Sequence, residues 1–420
     1  MKFACTPVPA RRISTNGKVE LRIAAEEAVR VDIQAQLSDR TVDCGSYAIC
    51  PHLELNKIVP NTEGIVGPFV FVMNFRDEAG NLLGSLKQHY EIVASSVHST
   101  CLLDGCWVTL YHWSEQEAHY YNKGLKNLTE DQWRQQVHDM HDIGVTSILI
   151  QNVFDSPYYV NQHDKTAETY DGRAFYDSKL YPGRVPITAE DPIEAILSAA
   201  DECDMAVFPG VGLYAWFDFS EESLKWHKAV ATELFERYGH HPSFYGFYLS
   251  EEIMGALYYG YDPVPDDHYK EIQHFMKEFQ AFIHTLHPTM PLALAPNNIR
   301  MHCYKEQWMP ILKHLDIIIP FAFARSENNI AQIAEMCKEA GTHFWVDMEI
   351  FDFPFDDGLR PKNYEKLIHE IHQYDMLEQV YGYQYTGLLN APVRRWDLGM
   401  EETEELYEKY QAYEKKVREK

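Results

Sequence analysis

The sequence predicts an α/β protein: an eight-stranded (β/α)8 barrel of the TIM type, preceded by a small N-terminal β-sandwich. Three observations carry that expectation. The chain has 420 residues, longer than one ordinary domain and long enough for a barrel of about 250 residues with an added module. Its first hundred residues alternate apolar and polar side chains with period two, whereas from Cys106 strand-like and amphipathic helical segments alternate to the end. No glycine-rich phosphate turn follows the first of those strands, as an open dinucleotide-binding sheet would require.

Each element can be justified in turn. In the N-terminal part VELRIAA, VRVDIQAQL, FVFVMNF and HYEIVAS read as strands, and Asp77, Gly80 and Asn81 mark a turn before LLGSL. This gives an immunoglobulin-like accessory sandwich over 1–103. Over 104–420 the strands begin at CWVTLYHW, VTSILIQNV, MAVFPGVGLY, FYGFYLSEE, PLALAPNN, DIIIPFAFA, HFWVDMEIF and QVYGYQYTGLL. Helical segments such as EDQWRQQVHDMHDIG and EESLKWHKAVATELFERYG separate them. Long insertions follow the second strand (Phe154 to about Ile187) and the fourth (Ile253 to about Asp267), on the side where barrel active sites are built.

A net charge of −26, with no run rich in Lys or Arg, argues against nucleic acid or an anionic membrane as partner and favours a neutral or basic ligand. The eight cysteines include no CxxC pair, so reduced structural thiols are expected. MKFACTPVPARRIS contains no apolar signal-peptide core, and no stretch of about 18 apolar residues occurs, so a cytoplasmic protein is expected.

Successive side chains of a strand point to opposite faces, so Gly246, Tyr248, Ser250 and Glu252 share one face, with Phe247, Leu249 and Glu251 on the other. The apolar set should meet the helices, which turns Glu252 inward. In the seventh strand the same reasoning places Val346 and Met348 outward, and Trp345, Asp347 and Glu349 inward. Two inward glutamates at strand ends are what glycosidic cleavage needs, one acid to protonate the leaving oxygen and one carboxylate to attack or activate water. Asp347 and Glu251 would keep their two pKa values apart by like-charge repulsion.

Sugars also need aromatic platforms and polar groups for their hydroxyls. Tyr111, His112 and Trp113 end the first strand, Tyr214 and Trp216 the third, and Tyr383 stands in the eighth. Tyr258, Tyr259, Tyr261, Phe351, Phe353 and Phe355 follow the fourth and seventh. Gln151, Asn152, Asn297, Asn298 and Arg325 are the polar strand-end residues best able to orient hydroxyls. His138, His141 and Asp142 share a helix face, but a solvated surface accounts for them, and neither a metal nor another cofactor is assigned. GxSxG, HExxH and Walker loops are missing. The leading reading is a hydrolase of a neutral glycan or oligosaccharide. Two alternatives stay open: a metal-dependent sugar isomerase or epimerase, and a non-catalytic carbohydrate-binding protein.

Several segments together resemble the DUF4434 family of glycoside-hydrolase-like barrels, from about Cys106 to Pro392. They are Trp133, Asp139, Met140, Ile143 and Gly144 leading to ILIQ at Gln151, then DPIEAILSAADECDMAVFPGVGLYAWFD, ERYGHHPSFYGFYLSEEI and FWVDMEIF. The resemblance puts the fourth-strand acid on Glu252 and the seventh-strand acid on Glu349. After the sixth strand the chain departs from the family pattern, with Phe321, Ala322 and Phe323 following Pro320 where a Gln-Asp pair is usual. Similarity to retaining barrel hydrolases implies Glu252 as acid/base and Glu349 as nucleophile.

Overall fold

The computed structural model describes residues 2–111, 124–156, 158–160, 164–181, 183–215, 217–257, 267–321, 329–352, 359–392 and 396–419. The fold is mixed α/β. Eight strands come first: β1 Phe3–Val8, β2 Arg12–Ser14, β3 Glu20–Ala25, β4 Val29–Gln36, β5 Thr41–Ile49, β6 Asn56–Ile58, β7 Gly67–Arg76 and β8 Leu82–Val93. They form a three-stranded sheet ordered β1-β3-β6 and a five-stranded sheet ordered β2-β8-β7-β4-β5. The period of two does its expected work here. Val29, Val31, Ile33 and Ala35 of β4 and Phe69, Phe71, Met73 and Phe75 of β7 are buried, and they share one core with Leu21 and Ile23 of β3. The turn read at Asp77–Asn81 joins β7 to β8, with Gly80 at φ +85° and the Asn81 amide donating to Asp77 Oδ1 at 2.7 Å.

The rest of the chain runs as strand and helix in alternation. In order come β9 Gly105–Val108, α1 Glu130–Asp142, β10 Ser147–Ile150, the short pair β11 Phe154–Asp155 and β12 Arg173–Ala174, α2 Pro192–Glu202, β13 Ala206–Pro209, α3 Glu221–Tyr238 and β14 Phe247–Leu249. Then follow α4 His268–Leu286, β15 Leu292–Leu294, α5 Lys305–Leu312, β16 Ile317–Ile318, α6 Ile330–Ala340, β17 His343–Phe344, β18 Val346–Glu349, the pair β19 Phe351–Asp352 and β20 Arg360–Pro361, α7 Tyr364–Gln373, β21 Val380–Tyr383 and α8 Glu401–Arg418. Side-chain caps explain several helix starts: Thr129, Asp191, Ser220, Asn329 and Asn363 each accept a backbone amide of the first turn.

The strands flanked by these helices pair in parallel, as β13-β10-β9-β21-β18 and β14-β15-β16-β17. Single parallel bridges, Val207 to Phe244 and Gly210 to Tyr248, join β13 to the β14 segment. The predicted seventh strand is split: β17 pairs with β16, and after Trp345 the chain continues as β18 against β21. The Phe321 to Asp347 bridge spans that junction. Parity reads out in two cores. Phe247, Leu249, Val346 and Met348 pack among the helices, while Trp107, Leu149, Phe208, Tyr248, Trp345 and Tyr381 pack with one another between the strands. Val8 and Ala10 from the N-terminal segment close over that inner cluster, and the Tyr245 hydroxyl donates to the Pro7 carbonyl at 2.5 Å.

All eight cysteines are free thiols. Among the described residues no helix is long and apolar enough to cross a membrane.

Candidate active site

A cavity of about 280 Å³ opens where the parallel strands end. Tyr111 follows β9, Gln151 and Asn152 follow β10, Leu213 follows β13, and Ser250 and Glu252 follow β14. Phe321 follows β16, while Asp347 and Glu349 of β18, Phe351 of β19 and Tyr383 of β21 complete this side. Asp155, Tyr159 and Phe175 reach it from the insertion that carries β11 and β12.

Local bonding aims the β14 end. The Ser250 hydroxyl donates to the Gln151 carbonyl at 2.8 Å and accepts from the Gly212 amide at 2.9 Å, which ties the ends of three neighbouring strands together. With Ser250 held there, alternation carries Glu252 to the cavity and Glu251 away from it. Glu252 is half-buried and accepts from Asn297 Nδ2 at 3.3 Å. Burial raises its carboxyl above the ordinary range, an effect that the Asn297 amide partly offsets. The Tyr383 hydroxyl donates to Gln151 Oε1 at 3.2 Å, and Trp107 packs beneath against Tyr248 and Tyr383, with ring centroids 4.9 and 5.8 Å away.

Asp347 is buried, 4 % exposed, and its Oδ1 has no hydrogen-bond partner. Burial first, then repulsion from Glu349 and Glu252, pushes its carboxyl well above the usual carboxylate range. Its carboxyl is raised by burial like that of Glu252, with the neighbouring acids adding to the effect.

Other expected site residues fall elsewhere. Glu251 does not line the cavity: it is 1 % exposed, accepts the Phe217 amide at 3.3 Å, and burial pushes it up to about 8. It stands apart from the pair it was expected to tune; the charges that act on Asp347 are those of Glu349 and Glu252. Tyr214 is not a platform either. It is stacked on Trp226 at 5.4 Å and set edge-on to Tyr170 at 5.2 Å inside the helix-facing core, because the chain leaves β13 through Gly212 at φ +87° and turns back under the insertion. Asn298 is fully buried off the cavity wall, whereas its neighbour Asn297 reaches Glu252. His112, Trp113, Trp216 and Arg325, with Tyr258, Tyr259, Tyr261, Phe353 and Phe355, lie outside the described residues. Asp155, Tyr159, Phe175, Leu213 and Phe321 were not foreseen, although the first three belong to an insertion already placed on the site side.

For a metal, the spacing of donors matters. Among the described residues, the group with ligand atoms all within 4.8 Å of one another is Glu194, His240 and His241, outside the cavity. His241 is engaged there by Asp201 at 2.6 Å and Glu194 at 3.1 Å. His138, by contrast, meets Glu202 and Cys203 on its helix face.

The fold of parallel strands with helices between them is similar to that of solved structures. A candidate alpha-L-fucosidase from Bacteroides thetaiotaomicron VPI-5482 superposes with a TM-score of 0.54 at 15% identity, over 75% of this chain and 93% of that one. A Bacteroides uniformis beta-glucuronidase gives a TM-score of 0.46 at 11% identity over 98% of this chain, which spans only 50% of the length of that enzyme. A GH2 beta-galacturonidase from Eisenbergiella tayi, bound to galacturonate, gives 0.42 at 11% identity over 94% of this chain and 69% of that one. None of the curated proteins matches this chain. The family described as "Domain of unknown function (DUF4434)" matches residues 103–396, and the chain belongs to that family.

Proposed function

We propose that the protein is a glycoside hydrolase acting on a carbohydrate without acidic groups, by a two-carboxylate retaining mechanism. The observation that carries the reading is that Glu252 and Glu349 line one cavity at the strand ends, with the Glu252 carboxyl raised by burial, the direction that suits a proton donor. In this scheme Glu252 protonates the departing glycosidic oxygen while Glu349 attacks the anomeric carbon. Water then cleaves the glycosyl-enzyme ester, giving its proton to Glu252 and restoring Glu349 as a carboxylate. Tyr383 and Gln151, already bonded to each other, and Asn297 beside Glu252 would orient sugar hydroxyls. The frame belongs to the same proposal. The two parallel sheets are taken as halves of one (β/α)8 barrel over 104–420, supported by the bridges beside β13 and β18, and residues 1–103 as a β-sandwich docked on it. The likeness to the candidate fucosidase supports the frame, not the choice of sugar.

A panel of aryl glycosides and oligosaccharides, of neutral and of amino-bearing sugars, tests the reading. Glu349→Gln keeps side-chain volume but has no nucleophile, so kcat should collapse while the protein stays folded. Glu252→Gln should lose about 10²–10⁴-fold on poor leaving groups and much less on activated ones. Net retention of anomeric configuration, read by NMR, completes the expected result. Equal residual activity in all three proteins would leave a carbohydrate-binding protein, and loss of turnover with a chelator would leave a metal-dependent enzyme.

A further inference from the structure

We infer that the sugar this cavity selects carries a protonated nitrogen, and that Asp347 is the residue that receives it. The inference rests on the hydrolase reading for the word sugar and on the cavity itself for the charge. Four carboxylates, those of Asp155, Glu252, Asp347 and Glu349, line a space of about 280 Å³. Within it Asp347 is buried and its Oδ1 has no hydrogen-bond partner, an arrangement that costs stability until a donor arrives. A neutral hydroxyl could donate one bond there, but only a cation also relieves the mutual repulsion of the acids. The aromatic wall points the same way, since Tyr111, Tyr159, Phe175, Phe351 and Tyr383 present rings whose electron-rich faces attract ammonium groups. The net charge of −26 raises the local concentration of cations around the mouth.

Among the described residues, no three of the cavity's acids converge as the ligands of a metal ion would. The described donors close enough to share one ion are Glu194, His240 and His241, none of which lines this cavity. A polyol ammonium, with its charge at one end and hydroxyls at the other, suits a lining that holds both these acids and the Gln151, Asn152 and Tyr383 side chains. Burial and the flanking glutamates raise the Asp347 carboxyl, and a cation bound beside it pulls the other way, so binding should draw protons from the site into solvent.

Calorimetry on the full chain tests this whatever the stereochemistry of the sugar. The probes are protonated Tris and the similarly branched neutral polyol pentaerythritol, near neutral pH in two other buffers of different ionisation enthalpy. Tris should bind at least roughly tenfold more tightly, weaken with added salt, and release protons; Asp347→Asn should bring the two affinities within a few-fold of each other. The proton count comes from the wild type, so it decides the matter even if the variant folds poorly. Equal affinities, binding of neither probe, or cation binding without proton release overturns the inference. Cation preference without glycoside turnover would instead uphold this site and remove the hydrolase reading. Turnover of neutral glycosides without cation preference would do the reverse.

Discussion

The two ends of the parallel strands treat buried acids in opposite ways. Where β9 begins, Asp104 Oδ1 accepts from Arg12 Nε at 2.7 Å and Thr100 Oγ1 at 2.9 Å, and Oδ2 from the Val380 amide at 3.0 Å. Arg12 also donates to the Gly144 and Leu103 carbonyls, both at 2.7 Å. Where β16 begins, Asp316 meets Arg22 at 2.5 Å and the Leu292 amide at 2.9 Å. At the opposite end Asp347 and Glu251 are equally buried, yet each keeps one oxygen without a hydrogen-bond partner. A buried charge with cations and amides around it holds a fold together, whereas a buried acid left short of partners is a cost retained where a ligand or a proton is to be handled. The arginines come from β2 and β3, so the N-terminal sheets are fastened to the end opposite the cavity.

The sharpest way to break that contrast is Asp316→Asn. Burial alone would raise this carboxyl, but Arg22, His284 and the Leu292 amide hold it well below the usual range. Its stabilising contribution is therefore present above the unfolded carboxylate value near 4 and is lost as pH falls below it. Removing the charge leaves buried Arg22 with only Glu20, at 4.0 Å, as an acidic partner, which should cost about 3–5 kcal/mol in denaturant unfolding at neutral pH. An unchanged midpoint would show that the pair contributes nothing.

A smaller effect, of opposite sign, is expected at the other end from Glu251→Gln. The folded carboxyl sits at about 8 through burial, so Glu251 favours the native state below its unfolded value near 4 and progressively less as pH rises through 8. Gln stays neutral throughout. Variant and wild type should unfold alike near pH 4, and the variant should become more stable by on the order of 2 kcal/mol as pH approaches 8. Parallel pH profiles would mean that Glu251 ionises freely in the native state.

The smallest change is expected at Tyr214→Phe. Its ring packs against Trp226 and Tyr170 away from the cavity, so stability should move by less than about 1 kcal/mol and KM should stay put. A large rise in KM would return Tyr214 to the binding site.

Much of this was legible in the sequence because it depends on local periodicity. The alternation in β4 and β7 reports which face is buried, and the same rule, applied to FYGFYLSEE and FWVDMEIF, separated Glu252 from Glu251 and placed Asp347 and Glu349 together on the inner face. The insertion after the second strand was recognisable by its length and position. Periodicity says nothing once a strand ends. Tyr214 looked like a rim platform because it follows β13, but its direction depends on Gly212 at φ +87° and on which rings of the insertion lie over it. Asn297 and Asn298 stand side by side with the same composition, and backbone direction alone sends one to Glu252 and buries the other.

By itself, then, the sequence determined the succession of elements, the inward parity of the two glutamates and the acidic character of the whole, since each follows from neighbours along the chain or from a simple count. Only the tertiary structure decided which way the ionisation of Asp316 and of Asp347 is pushed. Asp316 is answered by Arg22 from a strand nearly three hundred residues earlier, and Asp347, among the described residues, by no cation, its carboxyl raised instead by burial and by Glu252 and Glu349 from facing strand ends. The physical reason is that ionisation depends on burial and on charges within a few ångströms, and those distances exist only after distant segments have packed.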